Sequence, residues 1–237
     1  MNVLIVYAHE EPHSFNAALK NTAIRHFESR GHKVVVSDLY RMKFKAVADG
    51  DDFLERRNKY VLTRQHEEAK AHELGTLSHD ILLEQKKVHE CDLLILQFPL
   101  WWFSMPAILK GWVDRVMTLG FAYGNGKWYD RGGLQGRRAM LSITTGGPEH
   151  YYSERGINGD LERILYPIHH GILFFCGFTV LPPHVAWSPA HIDKSTRHQL
   201  IEAYEKHLSG IEGAEPMCFH PLSHYGEDLR LKEEFNP

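Results

Sequence analysis

Short runs of β-branched and aliphatic residues alternate along this chain with longer stretches of helical periodicity. The runs are Val3–Val6, Val34–Val36, Leu93–Leu96, Ala139–Ile143 and Phe178–Leu181, and the helical stretches cover 15–30, 79–90, 106–117, 160–173 and 193–209. Short continuous apolar runs are typical of strands buried on both faces, and their alternation with helices predicts an α/β fold built on a doubly wound, five-stranded parallel sheet with helices on both faces. Ligands of such sheets bind beyond the carboxyl ends of the strands, so the loops after the strands are the candidate sites.

Two segments lie outside this alternation. Residues 41–78 are rich in charge and poor in strand signal, which predicts a partly helical insertion. The last residues carry Pro216, Pro221, Gly226 and Pro237, which favour irregular structure. We therefore predict one domain over 1–211, with an insertion at about 41–78, followed by an irregular C-terminal tail over 212–237.

Composition narrows the possible partners and the compartment. With 237 residues, 43% apolar and 24% charged, the chain has the balance of a globular protein, and its net charge of −3 offers no electrostatic reason to bind nucleic acid or an anionic membrane. Its apolar runs fall far short of the roughly 20 residues that span a bilayer. The N-terminus resembles a strand rather than a leader, and three cysteines without a C-x-x-C pair favour a reducing compartment. We expect a cytoplasmic protein.

The loop after the first strand runs from His9 through Ser14 and Phe15 to Asn16, where a helix begins. Unpaired N–H groups at a helix N-terminus suit a phosphate, although an ordinary N-cap by Ser14 is an equal alternative. The loop matches neither the G-x-G-x-x-G nor the Walker pattern of nucleotide-binding loops.

The loops after the third and fourth strands add an aromatic surface and an anion-receptive turn. Pro99-Leu100-Trp101-Trp102-Phe103 places three large aromatic residues beyond a buried strand, which suits a planar heterocycle or, alternatively, an aromatic packing corner. Thr144-Thr145-Gly146-Gly147 allows close backbone approach to a ligand, although it can also be a plain tight turn. Together with the first loop, these segments predict a site for a planar cofactor that carries phosphate.

The same residues resemble the DT-diaphorase family, the flavin-dependent NAD(P)H:quinone oxidoreductases of flavodoxin-like fold. The likeness covers roughly residues 1–215. It rests on Val3–His9 with Ser14–Asn16, Gln97–Leu100 with Trp102-Phe103, Pro106–Trp112, Ser142–Gly147 and Phe175–Phe178. The resemblance implies bound FAD rather than FMN, a homodimer with its active site at the subunit interface, and ping-pong transfer of two electrons from NAD(P)H to a quinone.

The resemblance also assigns residues to parts of that site. Cofactor-binding positions are His9, Ser14, Phe15, Asn16, Pro99, Leu100, Trp101, Trp102, Phe103, Thr144, Thr145, Gly146, Gly147 and Tyr152, with Asp114 and Arg197 near the adenosine half. Substrate-side positions are Trp102, Phe103, Tyr123, Asn158 and Phe175, and the expected catalytic residues are Tyr152 and Asn158.

This sequence departs from the family pattern at two places. Asn158 occupies a position where the family often has histidine; asparagine can orient and donate but cannot act as a general base, so proton supply would fall to Tyr152 or water. His170 and Cys218 match two ligands of metal-bearing relatives, but the third position is Phe174. Two ligands do not make a stable site, so we predict no metal.

Other functions stay open from the sequence alone. A flavodoxin-type electron carrier and a regulatory flavoprotein subunit of a potassium-efflux system are alternatives to a quinone reductase. Within enzymes, azo- or nitroreductase activity is a further alternative.

Overall fold

The computed structural model describes residues 1–235, and the last two residues of the predicted tail lie outside that range. Strands and helices alternate along it. The strands are β1 (Asn2–Tyr7), β2 (Lys33–Asp38), β3 (Leu93–Pro99), β4 (Arg138–Thr144), β5 (Thr179–Val180) and β6 (His184–Ala186); the helices are α1 (Phe15–Glu28), α2 (Arg64–Leu74), α3 (His79–Glu90), α4 (Ala107–Val116), α5 (Leu161–Ile168) and α6 (Lys194–Ser209). No helix in the described range is long and apolar enough to cross a bilayer.

All strand pairs of the sheet are parallel, and the strand order is β2-β1-β3-β4-β5. This order confirms the predicted doubly wound, flavodoxin-like sheet, and it reverses between β1 and β3. The fifth position is shared by two short strands, because β5 pairs with the start of β4 and β6 pairs with its end. The sequence predicts one strand at this edge and misses β6, which is only three residues long.

Alternate residues of the central strands enter two separate cores. Val3 and Ile5 of β1 pack with α1 and α6 on one face, whereas Leu4 and Val6 pack with α3, α4 and α5 on the other. Trp112 of α4 is fully buried in the second core. Burial on both faces explains why these strands are continuous apolar runs.

Side-chain caps and one proline explain where several helices begin and change. Ser14, Asp160 and Asp193 cap α1, α5 and α6 by accepting hydrogen bonds from backbone amides of the first turn. Pro167 lies inside α5, and the chain continues from His169 to Phe174 with the wider hydrogen-bond pattern of a π-helix. The predicted helix over 160–173 is therefore helical throughout its length but changes type after the proline.

The charged segment over 41–78 is joined to the domain by a buried ion network. The carboxylate of Asp52 is fully buried and lies 2.9 Å from Nε of Arg115, 3.3 Å from Nζ of Lys45 and 3.3 Å from NH1 of Arg64. Arg115 of α4 is itself only 1% exposed and reaches Asp80 of α3 at 2.6 Å. These contacts join the insertion, including α2, to α4 and α3.

The tail folds back onto the domain without long regular elements, as its prolines and glycine predict. The amide of Met217 donates to the carbonyl of Val180, and Leu222 donates to the carboxylate of Asp130. Phe219 stacks on Phe174, 5.0 Å between ring centroids. The tail therefore covers the chain that follows α5.

Candidate functional site

The loops that leave β1, β3, β4 and β6 lie at one edge of the sheet, which we call the rim. Direct contacts tie them together. The amide of Leu100 after β3 donates to the carbonyl of Thr144, and the amide of Thr145 donates to the carbonyl of Ala186. The ring of His9 lies 6.0 Å from the ring of Trp101. The predicted loops therefore form one continuous surface at the position where ligands of doubly wound sheets bind.

The first loop presents an open helix N-terminus to the rim. The hydroxyl of Ser14 accepts from the amide of Ala17, while the amides of Phe15 and Asn16 have no acceptor within residues 1–235. Such amides carry partial positive charge and bind phosphate oxygens. The side chain of Asn16 is buried and donates to the hydroxyl of Thr144 at 2.8 Å, so the backbone of this residue is the part that faces a ligand.

The second loop contains a strained turn. Trp101 and Ser104 exchange two backbone hydrogen bonds of 3.0 Å, and the two residues between them, Trp102 and Phe103, have φ of 50° and 59°. Turns of this geometry normally select Asn-Gly, because left-handed backbone costs other residues about 1–2 kcal/mol each. The turn nevertheless holds Trp102 95% exposed and Phe103 48% exposed. Strain combined with exposed aromatic surface points to a ligand or partner that covers it.

The third loop offers free backbone donors. The hydroxyl of Thr145 donates to the carbonyl of Gly147 at 2.8 Å and so shapes the turn. The amides of Gly146 and Gly147 have no acceptor within the described part of the chain. The hydroxyl of Ser188 donates to the carbonyl of Gly146 at 3.2 Å, which gives that carbonyl a partner from the loop after β6. The turn fits an electron-rich ring edge or another acceptor group.

Tyr152 and Asn158 extend the third loop. Tyr152 is half-buried, with its ring 5.5 Å from the ring of Trp187. The backbone amide of Asn158 donates to the carbonyl of Tyr151, which folds the segment 151–158 back on itself. Both residues belong to the segment that follows β4, and the ring of Tyr152 lies beside the loop after β6.

The loop after β6 is the part of the rim that sequence reasoning missed. It brings Trp187 and Ser188 to the third loop, and the carbonyl of Pro189 accepts from Nε of the expected site residue Arg197 at 2.8 Å. The available signal was Trp187-Ser188-Pro189 itself, an aromatic residue followed by turn residues. The strand before it is too short to show a periodic pattern, so the sequence does not mark these residues as following a strand.

Three of the expected site residues do not join the rim within one chain. Asp114, Tyr123 and Phe175 line a second cleft of about 520 Å³, together with Arg64 and Gln65 of α2. The carboxylate of Asp114 lies 2.6 Å from Nζ of Lys110, its carbonyl accepts from Arg64, and burial raises the pKa of Tyr123. The rings of Tyr123 and Phe175 are 5.3 Å apart. Sequence reasoning also missed Arg64 and Gln65, which lie in the charged insertion.

The histidine that matches a metal ligand of the family is surrounded by aromatic rings. His170 stacks on Tyr166 at 4.7 Å and lies 5.3 Å from Phe219 and 5.6 Å from Phe174. Burial lowers its pKa, so the ring is neutral near pH 7. Within residues 1–235, no three His, Cys, Asp or Glu side chains are grouped as metal ligands would be.

Comparison with known proteins shows the family to which this chain belongs. Residues 1–208 match the family described by its flavodoxin-like fold. The human ribosyldihydronicotinamide dehydrogenase [quinone] is 45% identical over 226 residues, which are 95% of this chain and 98% of that protein. The chain is a member of the DT-diaphorase-like quinone oxidoreductase family. NAD(P)H dehydrogenase [quinone] 1 of Cavia porcellus, another relative, is 44% identical over 98% of this chain and 84% of its own length.

Solved structures agree with this family membership. A protein from Klebsiella pneumoniae described as a quinone reductase shares 44% identity and superimposes with a TM-score of 0.97 over 100% of this chain and 96% of its own. The family comprises oxidoreductases, and the present chain is one of them.

Proposed function

We propose that this oxidoreductase binds FAD at the rim and transfers two electrons from NAD(P)H to a quinone in a ping-pong sequence. Bound flavin would supply the hydride chemistry, and the protein would supply the binding surface, the orientation and the hydrogen-bond donors. The observation that carries the proposal is the strained turn that exposes Trp102 and Phe103 next to a helix N-terminus. An exposed aromatic surface beside unpaired amides fits a planar ring system that also carries phosphate.

Separate parts of the rim fit separate parts of the cofactor. The amides of Phe15 and Asn16 suit the pyrophosphate, and the turn at 101–104 suits the face of the ring system. The amides of Gly146 and Gly147, with the phenol of Tyr152, suit the ring edge that gains negative charge on reduction. Donors placed there beforehand stabilise that charge at no reorganisation cost.

Residues of the second cleft support FAD and a homodimer. FMN has a ring system and a phosphate but no adenosine half, so the rim alone would be enough to bind it. Asp114 and Arg64 form a polar group in a different cleft, which suits the additional adenosine half of FAD. A second copy that brings its Asp114, Tyr123 and Phe175 to the rim would complete both the adenosine end and the substrate side. We expect light scattering of the purified protein to give twice the mass of the chain.

A cytoplasmic location fits the state of the cysteines. Cys91 and Cys176 are buried free thiols and Cys218 is an exposed one. An exposed free thiol stays reduced in a reducing compartment such as the cytoplasm.

The donor and the acceptor are tested together by turnover. Because relatives are named for ribosyldihydronicotinamide and for NAD(P)H, oxidation of NADH, NADPH and dihydronicotinamide riboside should be followed with and without menadione. We expect rapid, menadione-dependent oxidation of at least one donor, with parallel lines in double-reciprocal plots at several menadione concentrations. Slow oxidation that menadione does not accelerate would contradict the proposal and favour an electron carrier.

Asn158 provides a test of proton handling. The substitution Asn158→His introduces a group with an ordinary pKa near 6.5. We expect the pH profile of kcat/KM for menadione to gain an inflection between about pH 5.5 and 7.5, because the imidazolium can donate the proton that asparagine cannot. Asn158→Gln keeps a side-chain amide and should keep the parent profile. Identical profiles for the histidine variant and the parent would show that this position takes no part in proton transfer.

A further inference from the structure

A row of polar residues crosses the sheet directly beneath the rim, on the face covered by α1 and α6. Tyr7, Gln97, Ser142 and His184 are register partners on β1, β3, β4 and β6, so their side chains point to the same face. Other positions on this face, such as Ile5 and Ile95, are apolar. The row is therefore a local exception within an apolar core.

The amide groups of this region form a hydrogen-bond chain that ends at the rim. Nε2 of Gln97 donates to Oδ1 of Asn16 at 2.9 Å, and Nδ2 of Asn16 donates to the hydroxyl of Thr144 at 2.8 Å. All three residues are at most 6% exposed. Each side chain therefore has its partner fixed by its neighbour rather than by solvent.

The direction of this chain determines what the Thr144 hydroxyl can do. A threonine hydroxyl has one proton and two lone pairs, and here a lone pair is occupied by the Asn16 amide. Within residues 1–235, this hydroxyl accepts from Asn16 and donates to no protein acceptor. Thr144 is the last residue of β4, so its hydroxyl lies where the strand meets the rim loops.

At the Gln97 end of this hydrogen-bond chain, the row of register partners contains further unpaired polar atoms. Within residues 1–235, eight buried side-chain nitrogen or oxygen atoms have no hydrogen-bond partner, and four of them are Oε1 of Gln97, Oγ of Ser142, Nε2 of His184 and the hydroxyl of Tyr204. The rings of His184 and Tyr204 are 4.4 Å apart. Burial lowers the pKa of His184 to about 3, so the cluster is uncharged. Clustered unpaired atoms of this kind are satisfied by internal water with two to four polar partners.

We propose that Gln97 is a positioning residue: internal water held by Ser142 and Tyr204 donates to its carbonyl oxygen, and its amide then acts through Asn16 to fix Thr144 as a donor toward the rim. The inference rests on the proposed function, in which the Thr144 loop meets the flavin edge that gains negative charge. A fixed donor at that edge favours the two-electron-reduced cofactor over the oxidised one. If the hydrogen bonds ran in the opposite direction, the Thr144 hydroxyl would donate to Asn16 and would present only a lone pair to that edge.

The test uses holoprotein and the midpoint potential of its bound flavin, titrated against a reference dye. Gln97→Met keeps the approximate size and adds no charge, but it removes the amide that orients Asn16, so Oδ1 of Asn16 can turn toward Thr144 and the Thr144 hydroxyl then donates inward; Thr144→Val removes the hydroxyl. We expect each variant to reduce about tenfold the preference for reduced over oxidised flavin, which lowers the two-electron potential by about 30 mV. Thr22→Val is the control, because Thr22 is a buried threonine of α1 whose hydroxyl accepts from Arg25 and takes no part in the hydrogen-bond chain from Gln97 to Thr144. It should leave the potential unchanged.

Two results would overturn the inference. One is an unchanged potential in both variants, and the other is a shift for only one of Thr144→Val and Gln97→Met. Should Gln97→Met fail to fold, a high-resolution crystal structure of the unmodified holoprotein decides, since it must show water within about 3 Å of Oε1 of Gln97. A colourless or inactive unmodified protein would instead be a failure of the proposed function, so the two failures are distinguishable.

Discussion

Replacing Trp102 with alanine should weaken flavin retention about tenfold to hundredfold and reduce menadione turnover accordingly, while the free energy of unfolding changes little. Stacking of a planar heterocycle on an aromatic side chain contributes about 1–3 kcal/mol, and Trp102 is the most exposed aromatic residue of the rim. Because its side chain is 95% exposed, the fold gains little from it. Flavin retention is measured as the dissociation constant from fluorescence of released cofactor, and stability is measured by urea unfolding of the apoprotein.

A matched control separates the turn from the general effect of trimming a surface residue. Leu83 is also an exposed apolar residue, 46% exposed, and it lies on α3, which contributes no residue to the rim loops. Leu83→Ala should keep parental flavin retention and turnover. Near-parental values for Trp102→Ala as well would remove Trp102 from the cofactor surface.

The second large effect is expected on stability. Arg115→Met should lower the free energy of unfolding by about 3 kcal/mol, because it leaves the fully buried Asp52 carboxylate without its nearest cation. Lys45 and Arg64 remain at 3.3 Å, which keeps the loss at the lower end of the range for a broken buried pair. The hydrogen bonds from Arg115 and Ser78 to Asp80 are part of the same network: burial alone would raise the pKa of Asp80, yet these contacts hold it below its ordinary value. Urea unfolding at pH 7 measures the loss.

An exposed ion pair supplies the comparison for this network. Lys86 and Glu90 on α3 are 3.8 Å apart and mostly exposed, so Lys86→Met should cost less than about 1 kcal/mol. The double variant Arg115→Met with Asp52→Asn should recover part of the loss, since no full charge is then left buried without its partner. Equal stability of the Arg115 and Lys86 variants would show that the network does not hold the insertion in place.

Elements with a strong periodic signal could be predicted from the sequence, and weakly patterned ones could not. The apolar run at Leu93–Leu96 forms the first four residues of β3, and the predicted helix over 79–90 matches α3 in full. By contrast, the run at Phe178–Leu181 predicts a strand of which β5 keeps two residues, whereas β6 has only three residues and acquires its strand conformation from pairing with the end of β4. Such a strand is determined by its tertiary neighbour, so local sequence carries no signal for it.

The same distinction between local and long-range signals applies to the residues of the candidate site. Rim loops follow directly from strand ends, so their residues could be proposed from the order of strands and loops alone. The cleft that Asp114, Tyr123 and Phe175 line is shared with Arg64 and Gln65 of α2. Long-range ion pairs join α2 to α4, from Arg64 to Asp52 and from Asp52 to Arg115. The proposed role of Gln97 also could not be predicted from the sequence, because the polar neighbours of a single polar residue in an apolar strand are known only once its register partners are known.

The identity and amount of bound flavin test the central claim most directly. Purified protein should be yellow, and heating should release FAD, identified by chromatography, at one molecule per chain. Trp102→Ala protein, purified in parallel, should release less. A colourless preparation that takes up neither FAD nor FMN on incubation would contradict the claim that the rim is a flavin site.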